Sequence, residues 1–370
     1  DTKLFKRILL VSIERYDVVD NYQFGYKKRH STSLCTETVK NVIDYYTSRG
    51  SHVFMCFVDV SKAFDRVNYW KLFSQLLSDG VDIFLVKLLA HWYVNQEVYV
   101  TWNNRKSSGF LVSNGTKQEG VLSPYLFARY IRPIVAAVSQ SAIGCNVGGI
   151  SANIFAYADD IAILAPTWHA LQSLISVLEK YGLLLDLLYN VKKTVCMMFL
   201  PSDKQKIVLR CFPGFYLCGQ LLQFVNKFRY LGHILHNSLK DDYDVLREIR
   251  SMYARTNMLI RKFAKCSFYV KMRLFKSYCL CLYGAGLWSK CTASCLKKFK
   301  YCYHKCIKMF FGYDKYHSVT AILLDTGLPS FNTLLHTCRQ ILEVQFVSSH
   351  NEYILYIHHV TIRKCFIVHV

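Results

Sequence analysis

The sequence predicts an α+β fold, with a mixed helix–strand part to about residue 235 and a wholly helical, basic part from about residue 244. Three observations carry that expectation. HVFMCFVDV (52–60) is a continuous apolar run closing on Asp59, the mark of a strand covered on both faces. FAYADDIAIL (155–164) is apolar except for two adjacent aspartates, and reads as two strands flanking an acidic turn. Beyond 244, Val245, Ile249, Met252, Thr256, Ile260 and Phe263 recur at helical spacing, with Arg247, Arg250 and Arg261 off that stripe.

The remaining elements follow in chain order. After the first strand, Trp70, Phe73, Leu76 and Leu77 share one face of a helix that Gly80 ends. EVYVTWN (97–103) alternates like a strand. Ser123 and Pro124 suit an N-cap and first turn, and Leu126, Phe127, Tyr130, Ile131, Ile134 and Val138 continue that helix, with Pro133 expected to bend it. Residues 170–189 read as a helix with Leu171, Leu174, Ile175 and Leu178 in register, and TVCMMF (194–199) and FRYLGHIL (228–235) read as strands. Repeats and low-complexity tracts are absent.

Composition narrows the function classes. Lys plus Arg is 46 and Asp plus Glu is 25, a net charge of +21, which suits a polyanionic partner: nucleic acid first, an acidic membrane second. At 370 residues the chain is long enough for two or three subdomains. Its 15 cysteines sit mostly in apolar runs, as Cys56, Cys196 and Cys279 do, and fit a reducing intracellular compartment. Cys291, Cys295, Cys302 and Cys306, with His304, offer metal-ligand types, but a spacing of four fits one helix face better than a zinc site. No signal peptide opens the chain, and no apolar run reaches the ~20 residues of a membrane span. The longest candidate is YCLCLYGAGLW (278–288), and the missing initiator Met suggests a fragment.

Adjacent side chains in a straight strand point to opposite faces, so Asp159 and Asp160 act together only at a turn. A lone Asp-Asp pair is an ordinary solvated turn. Asp59 changes the reading, because it too ends a long apolar strand that could lie beside the hairpin. Three carboxylates on neighbouring elements suit two magnesium ions about 3.5–4 Å apart, the arrangement of phosphoryl transfer. Oxygen ligands without histidine favour magnesium over zinc.

FVDVSKAFDRVNYWKL, GTKQEGVLSPYLFARYI, YADD at 157–160, NVKKTVCMMF and FRYLGHIL follow in that order. Together they resemble the reverse transcriptase domain of non-LTR (LINE-like) retrotransposons. The resemblance implies a right-hand polymerase. Its partial fingers would be 1–56, its palm with the remaining fingers 57–225, its primer-grip hairpin and helical thumb 226–290, and a basic helical C-terminal segment 291–370. By resemblance Asp59 and Asp159 are the main metal ligands, with Asp160 beside them and the Val60 carbonyl as a further ligand, for two Mg²⁺ ions or Mn²⁺ in their place. Phe64 falls under the sugar of the incoming nucleotide, although a ring at a helix start also packs a core. Gln118 falls in the nucleotide loop. Lys193 matches a lysine proposed to protonate pyrophosphate; it reads equally as a solvated loop lysine. Tyr230, Leu231 and Gly232 belong to the primer grip, and Arg247, Arg250 and Arg261 would hold duplex phosphates.

The implied function is RNA-directed DNA synthesis from an RNA template, a DNA primer and dNTPs, without a membrane. A nuclear location and an endonuclease domain or partner outside this chain follow from the same resemblance. Three departures point to a truncated, weakly active enzyme. Glu119 stands where the family has glycine after Gln118. Arg29 and His30 stand where it favours Gly-Arg before Ser31-Thr32, and the chain starts after the Arg-Pro fingers segment. Residues 350–370 match nothing expected. The alternatives are an inactive relic that binds nucleic acid through its basic surface and an RNA-templated RNA polymerase, against which Phe64 argues.

Overall fold

The computed structural model describes residues 2–16, 20–27, 29–116, 120–201 and 211–367, with the backbone alone at 2, 3 and 361–367. The chain divides into two compact units. One comprises Asp1–His30 and Tyr45–Phe224, the other Ser31–Asp44 and Val225–Val370. Residues 31–44, which the sequence reading placed in the opening segment 1–56, therefore belong with the C-terminal unit. The buried ammonium of Lys40 accounts for this: it meets Asp241 at 2.8 Å and the carbonyl of Leu287 at 2.6 Å.

Helices α1 (Thr2–Glu14), α2 (Thr32–Thr47), α3 (Tyr69–Ser78) and α4 (Ile83–Val94) open the helical series of the chain, and the first unit is built on a five-stranded sheet. Its strands are β1 (Val53–Val58), β2 (Ile154–Tyr157), β3 (Asp160–Ala165), β4 (Val195–Phe199) and β5 (Gln223–Phe224), in the spatial order β5-β4-β1-β3-β2. β1 runs antiparallel to both neighbours, pairing Cys56 with Cys196 on one side and with Ile163 on the other. All six of its residues are buried, as the unbroken apolar run requires of a central strand. On one face, Phe54, Cys56 and Val58 join Ile161, Ile163 and Ala165. Against them pack α5 (Ser123–Ser139), through Leu126, Phe127, Tyr130, Ile131 and Ile134, and α6 (Trp168–Leu184), through Leu171, Leu174, Ile175 and Leu178.

Several local expectations shift. In α3 (Tyr69–Ser78) the buried face is Tyr69, Leu72, Phe73 and Leu76, while Trp70 and Leu77 are exposed. Asn68 caps that helix through the amides of Trp70 and Lys71, and the face that packs is the one on which Tyr69 meets the ring of Tyr93, with centroids 5.1 Å apart. Leu122, not Ser123, is the N-cap of α5, and the helix continues through Pro133. EVYVTWN is not one strand: Glu97–Val98 pairs with Phe110–Leu111, and Thr101–Trp102 pairs with Arg105–Lys106 across a left-handed Asn103-Asn104 turn. α6 ends at Leu184, short of 189.

Among the described residues the second unit is helical apart from one hairpin, β6 (Lys227–Tyr230) and β7 (His233–His236). FRYLGHIL is thus two strands joined at Leu231-Gly232, both at positive φ. Then come α7 (Asp242–Phe263), α8 (Phe268–Cys279), α9 (Ala293–Phe311), α10 (Val319–Thr326), α11 (Phe331–Val347) and α12 (Glu352–Ile367). Val245, Met252 and Thr256 of the expected stripe are buried, with Ile249, Ile260 and Phe263 half-buried beside them. Cys295, Cys302 and Cys306 occupy the buried face of α9, as one helix face would. Every cysteine among the described residues is free. No helix of the described residues is long and apolar enough to cross a membrane.

Candidate active site

Hairpin β2–β3 pairs Tyr157 with Asp160, so Ala158 and Asp159 form a two-residue turn. Ala158 sits at φ +59°, a left-handed conformation that costs a non-glycine residue about 1–2 kcal/mol. The β1–β3 register runs to Val58 opposite Ile161, and one further step brings Asp59 level with Asp160. Three carboxylates thus gather at one end of the sheet's central strands.

The main chain of Asp59 is held from the other side. Its amide donates to Thr194 Oγ1 at 3.2 Å, and its carbonyl accepts from the Asn190 amide at 2.8 Å. Ser61 N donates to Leu188 O at 2.7 Å, and Val60 bridges Tyr189. In this pattern the flanking residues carry the hydrogen bonds. The carbonyl of Val60 is thereby turned away from Tyr189, toward the edge that β3 occupies. Asn190 also accepts, through its carbonyl, the amides of Lys193 and Thr194. The exposed Lys193 is therefore carried on a tight turn anchored to Asp59.

Electrostatically Asp159 and Asp160 are strained. Burial pushes the Asp159 carboxyl up, its own amide draws it part way back, and the charge of Asp59 raises it again. Burial, then Asp159 and Asp59, pushes Asp160 up to about 6, although its side chain keeps an exposed surface. Tyr26 is raised by burial and then by Asp159, Tyr157 and Asp160, which places the 23–26 segment alongside the turn. Within that segment Gln23 is buried, and its Oε1 accepts from the amides of Ala158 at 3.0 Å and Gly25 at 2.8 Å.

This charge concentration fits a hard divalent cation, whose binding removes the like-charge penalty. Among the described residues no group of three or more His, Cys, Asp or Glu side chains is arranged to hold a metal ion. An open set of carboxylates is what a magnesium ion shared with substrate phosphates uses.

The half-buried Phe64 lies in a 3₁₀ turn, Ala63–Arg66, and stacks on Phe127 with centroids 4.6 Å apart. Its carbonyl accepts from Thr116 N at 2.8 Å, and Gly115 N donates to Val67 O at 2.9 Å. A Cβ at Gly115, whose φ is +89°, would fall 2.9 Å from the backbone of Asp65. The loop leading to Gln118 is thereby laid against the Phe64 turn. Gln118 and Glu119 themselves lie outside the described residues.

The nucleic-acid residues expected in the second unit separate into two groups. Arg250 and Arg261 are exposed on α7. Arg247 is not free for phosphate: it binds Asp244 through Nε at 2.7 Å and Nη2 at 3.2 Å, and Glu248 through Nη1 at 3.0 Å. The buried acids one turn back and next in sequence consume its donors. Tyr230 is buried, with its hydroxyl 3.5 Å from Cys35 Sγ, so it shapes the hairpin from inside. Leu231 and Gly232 form the half-exposed turn, which rests on Tyr283 through a bond from its hydroxyl to Leu231 O at 2.8 Å.

A sequence profile described as reverse transcriptase (RNA-dependent DNA polymerase) matches residues 1–235. The chain belongs to that family, whose members work with divalent metal ions, and the α+β architecture expected from the sequence is the one found. Among its relatives is the RNA-directed DNA polymerase from the mobile element jockey of Drosophila funebris. It is 26% identical over 298 residues, 77% of this chain and 30% of the relative. The jockey polymerase of Drosophila melanogaster is 23% identical over 91% of this chain and 37% of its own length. The Pol polyprotein of the type-2 element R2DM is 27% identical over 49% of this chain and 18% of its length. The chain thus spans about a third or less of these relatives. A telomerase structure from Candida tropicalis, in complex with a TWJ fragment of telomeric RNA, is similar at TM-score 0.47 and 12% identity. That match covers 96% of this chain and 56% of the telomerase.

The sequence pointed to Asp59, Asp159, Asp160, Val60 and Lys193, and the fold brings their main-chain positions to one end of the sheet. It did not point to Thr194 or Gln23. Both lie in stretches noticed for other residues, and polar side chains beside apolar strands were the only signal they gave.

Proposed function

We propose that this chain is an RNA-directed DNA polymerase domain that extends a primer 3′-hydroxyl with dNTPs on an RNA template. The observation that carries the reading is the register of β1 on β3, which sets Asp59 level with the Asp159–Asp160 turn. Bound divalent ions, Mg²⁺ or Mn²⁺, would supply charge neutralisation and an activated hydroxyl. Asp59, Asp159, Asp160 and the Val60 carbonyl would hold them. Phe64, stacked on Phe127, offers the sugar of a deoxynucleotide a flat wall, and Gln118 would face the same nucleotide. Lys193, on the turn beside Asp59, would give a proton to departing pyrophosphate. Leu231, Gly232, Arg250 and Arg261 would meet the nucleic-acid backbone. In this reading the enzyme is weak, works in the nucleus, and depends on an endonuclease carried elsewhere.

The test is primer extension on an RNA template with Mg²⁺ and dNTPs. Wild-type protein gives slow, metal-dependent product, and Asp159→Asn reduces it on the order of a thousandfold, about 4 kcal/mol of lost stabilisation. Product that survives the change rules out this site. Salt-sensitive nucleic-acid binding with no metal-dependent synthesis selects the inactive relic instead.

A further inference from the structure

We infer that Gln23 is the positioning residue of the catalytic turn, acting on Asp159 through the backbone of Ala158; the inference rests on the proposed site. Ala158 is locked in a left-handed conformation without being glycine, so something must over-determine it. Gln23 does this from a position only 2% exposed. Its Oε1 accepts from Ala158 N at 3.0 Å, and its Nε2 lies 3.5 Å from Ala158 O, a long contact that adds direction more than strength. The same Oε1 accepts from Gly25 N at 2.8 Å, so the amide plane is fixed at both ends.

The segment carrying Gln23 is itself clamped to strand β2. Ala156 N donates to Tyr22 O at 2.9 Å, and Phe24 N donates to Ala156 O at 2.7 Å, a parallel bridge centred on Gln23 and Ala156. Gly25 completes the fit: a Cβ there would stand 2.4 Å from Ala158 N. Gln23 touches no reacting atom. It fixes the plane of the peptide at Ala158, and with it the direction in which the next residue, Asp159, presents its carboxylate. Support of this kind behind a ligand is worth about 10–100-fold in metal affinity elsewhere.

The experiment measures Mn²⁺ binding by electron paramagnetic resonance, single-turnover primer extension and thermal midpoint for four proteins. These are wild type, Gln23→Ala, Gln23→Glu and Gly25→Ala. Gln23→Ala should weaken the Asp159-dependent Mn²⁺ binding about tenfold or more. Extension should fall in parallel and recover partly at high Mn²⁺. Gln23→Glu keeps an acceptor for both amides and should stay within about threefold of wild type. Gly25→Ala keeps the Gln23 side chain but crowds both Ala158 N and the Gln23 Oε1, 3.1 Å from the new Cβ, and should reproduce the metal defect even where Gln23→Ala does not fold.

Wild-type Mn²⁺ affinity in both Gln23→Ala and Gly25→Ala overturns the inference. So does a Gln23→Glu protein as defective as Gln23→Ala, or a wild type with no Asp159-dependent Mn²⁺ binding. Intact, Gln23-sensitive metal binding without primer extension supports the inference while removing the polymerase reading.

Discussion

Asp159 and Asp160 in the first unit are pushed above the usual carboxylate range, whereas Asp241 and Asp244 in the second are held below it. All four lose solvent, which alone would raise each of them. The difference lies in the neighbours. The first pair faces Asp59 and each other. Asp241 meets Lys40 at 2.8 Å and His233 at 3.3 Å. Asp244 meets His233 at 3.1 Å, both arms of Arg247 and the indole nitrogen of Trp288 at 2.9 Å. Glu248, buried beside them, is shared by Arg247 and Arg255. A carboxylate whose charge is already answered is architecture; carboxylates left to repel one another mark the candidate site.

The largest effect that separates the two is the loss of a buried partner. Asp244→Ala leaves Arg247, His233 and the Trp288 nitrogen without their acceptor, and should destabilise the second unit by about 3–5 kcal/mol. Protease susceptibility of residues 225–367 and the thermal midpoint measure it. Asp159→Asn should do the reverse. Removing one repelling charge from metal-free protein should leave the midpoint unchanged or about 2 °C higher, even as synthesis collapses. A destabilised Asp159→Asn protein would mean that Asp159 is structural, and the contrast would fail.

The parts legible in the sequence were those that periodicity and unbroken apolar runs specify. β1, β3, β4 and the stripe of α7 follow from burial on one or two faces, and the Asp59, Asp159, Asp160 set follows from acids that interrupt such runs. The rest was hidden for physical reasons. Asp244 and Glu248 give no signal in the sequence, which does not reveal that Arg247, Arg255 and His233 will surround them. Arg247 reads as a phosphate contact until Asp244 and Glu248 are seen to hold its guanidinium. Trp70 and Leu77 fit a helix face as well as Tyr69 and Leu72 do, and only packing against the rest of the core selects between them. Gln23 lies 135 residues from Ala158, and its amide looks like any other polar side chain.

Acidity sharpens the contrast with an effect of intermediate size. In the second unit His233 lies between Asp241 and Asp244, although neither ring nitrogen is in line for a well-directed hydrogen bond. Burial pulls its imidazole down, but the two carboxylates outweigh burial and hold it above its ordinary value. Its raised folded pKa gives stability that is fully present below the unfolded value and lost as pH rises through the folded one. Asp244 has the opposite sign: burial would raise it, yet His233, Arg247 and Trp288 lower it. Its contribution is present above the unfolded carboxylate value and fades as pH falls toward the depressed one. The second unit should therefore be most stable between the two, in weakly acidic solution. Urea melts from pH 4 to 9 followed at Trp288 would show the fall on the alkaline side, and His233→Gln should remove it. A melt whose alkaline limb is identical in that variant would show that His233 stays neutral between its two acids.

The smallest effects test which arginines are structural and which are free. Arg250→Ala and Arg261→Ala remove exposed cations from α7 and should leave the melting curve unchanged within about 0.5 kcal/mol. Each should reduce the slope of log affinity against log salt for duplex nucleic acid by roughly one, if it contacts a phosphate. Arg247→Ala should show the inverse pattern, because its guanidinium answers Asp244 and Glu248 and reaches the carbonyl of Tyr283 at 3.1 Å. Removing it uncovers two buried carboxylates, so stability should drop while the salt slope of the protein still folded stays near wild type. If Arg247→Ala flattens the salt dependence without loss of stability, its ion pairs open on binding. The division between answered and unanswered charges would then hold only for the free protein.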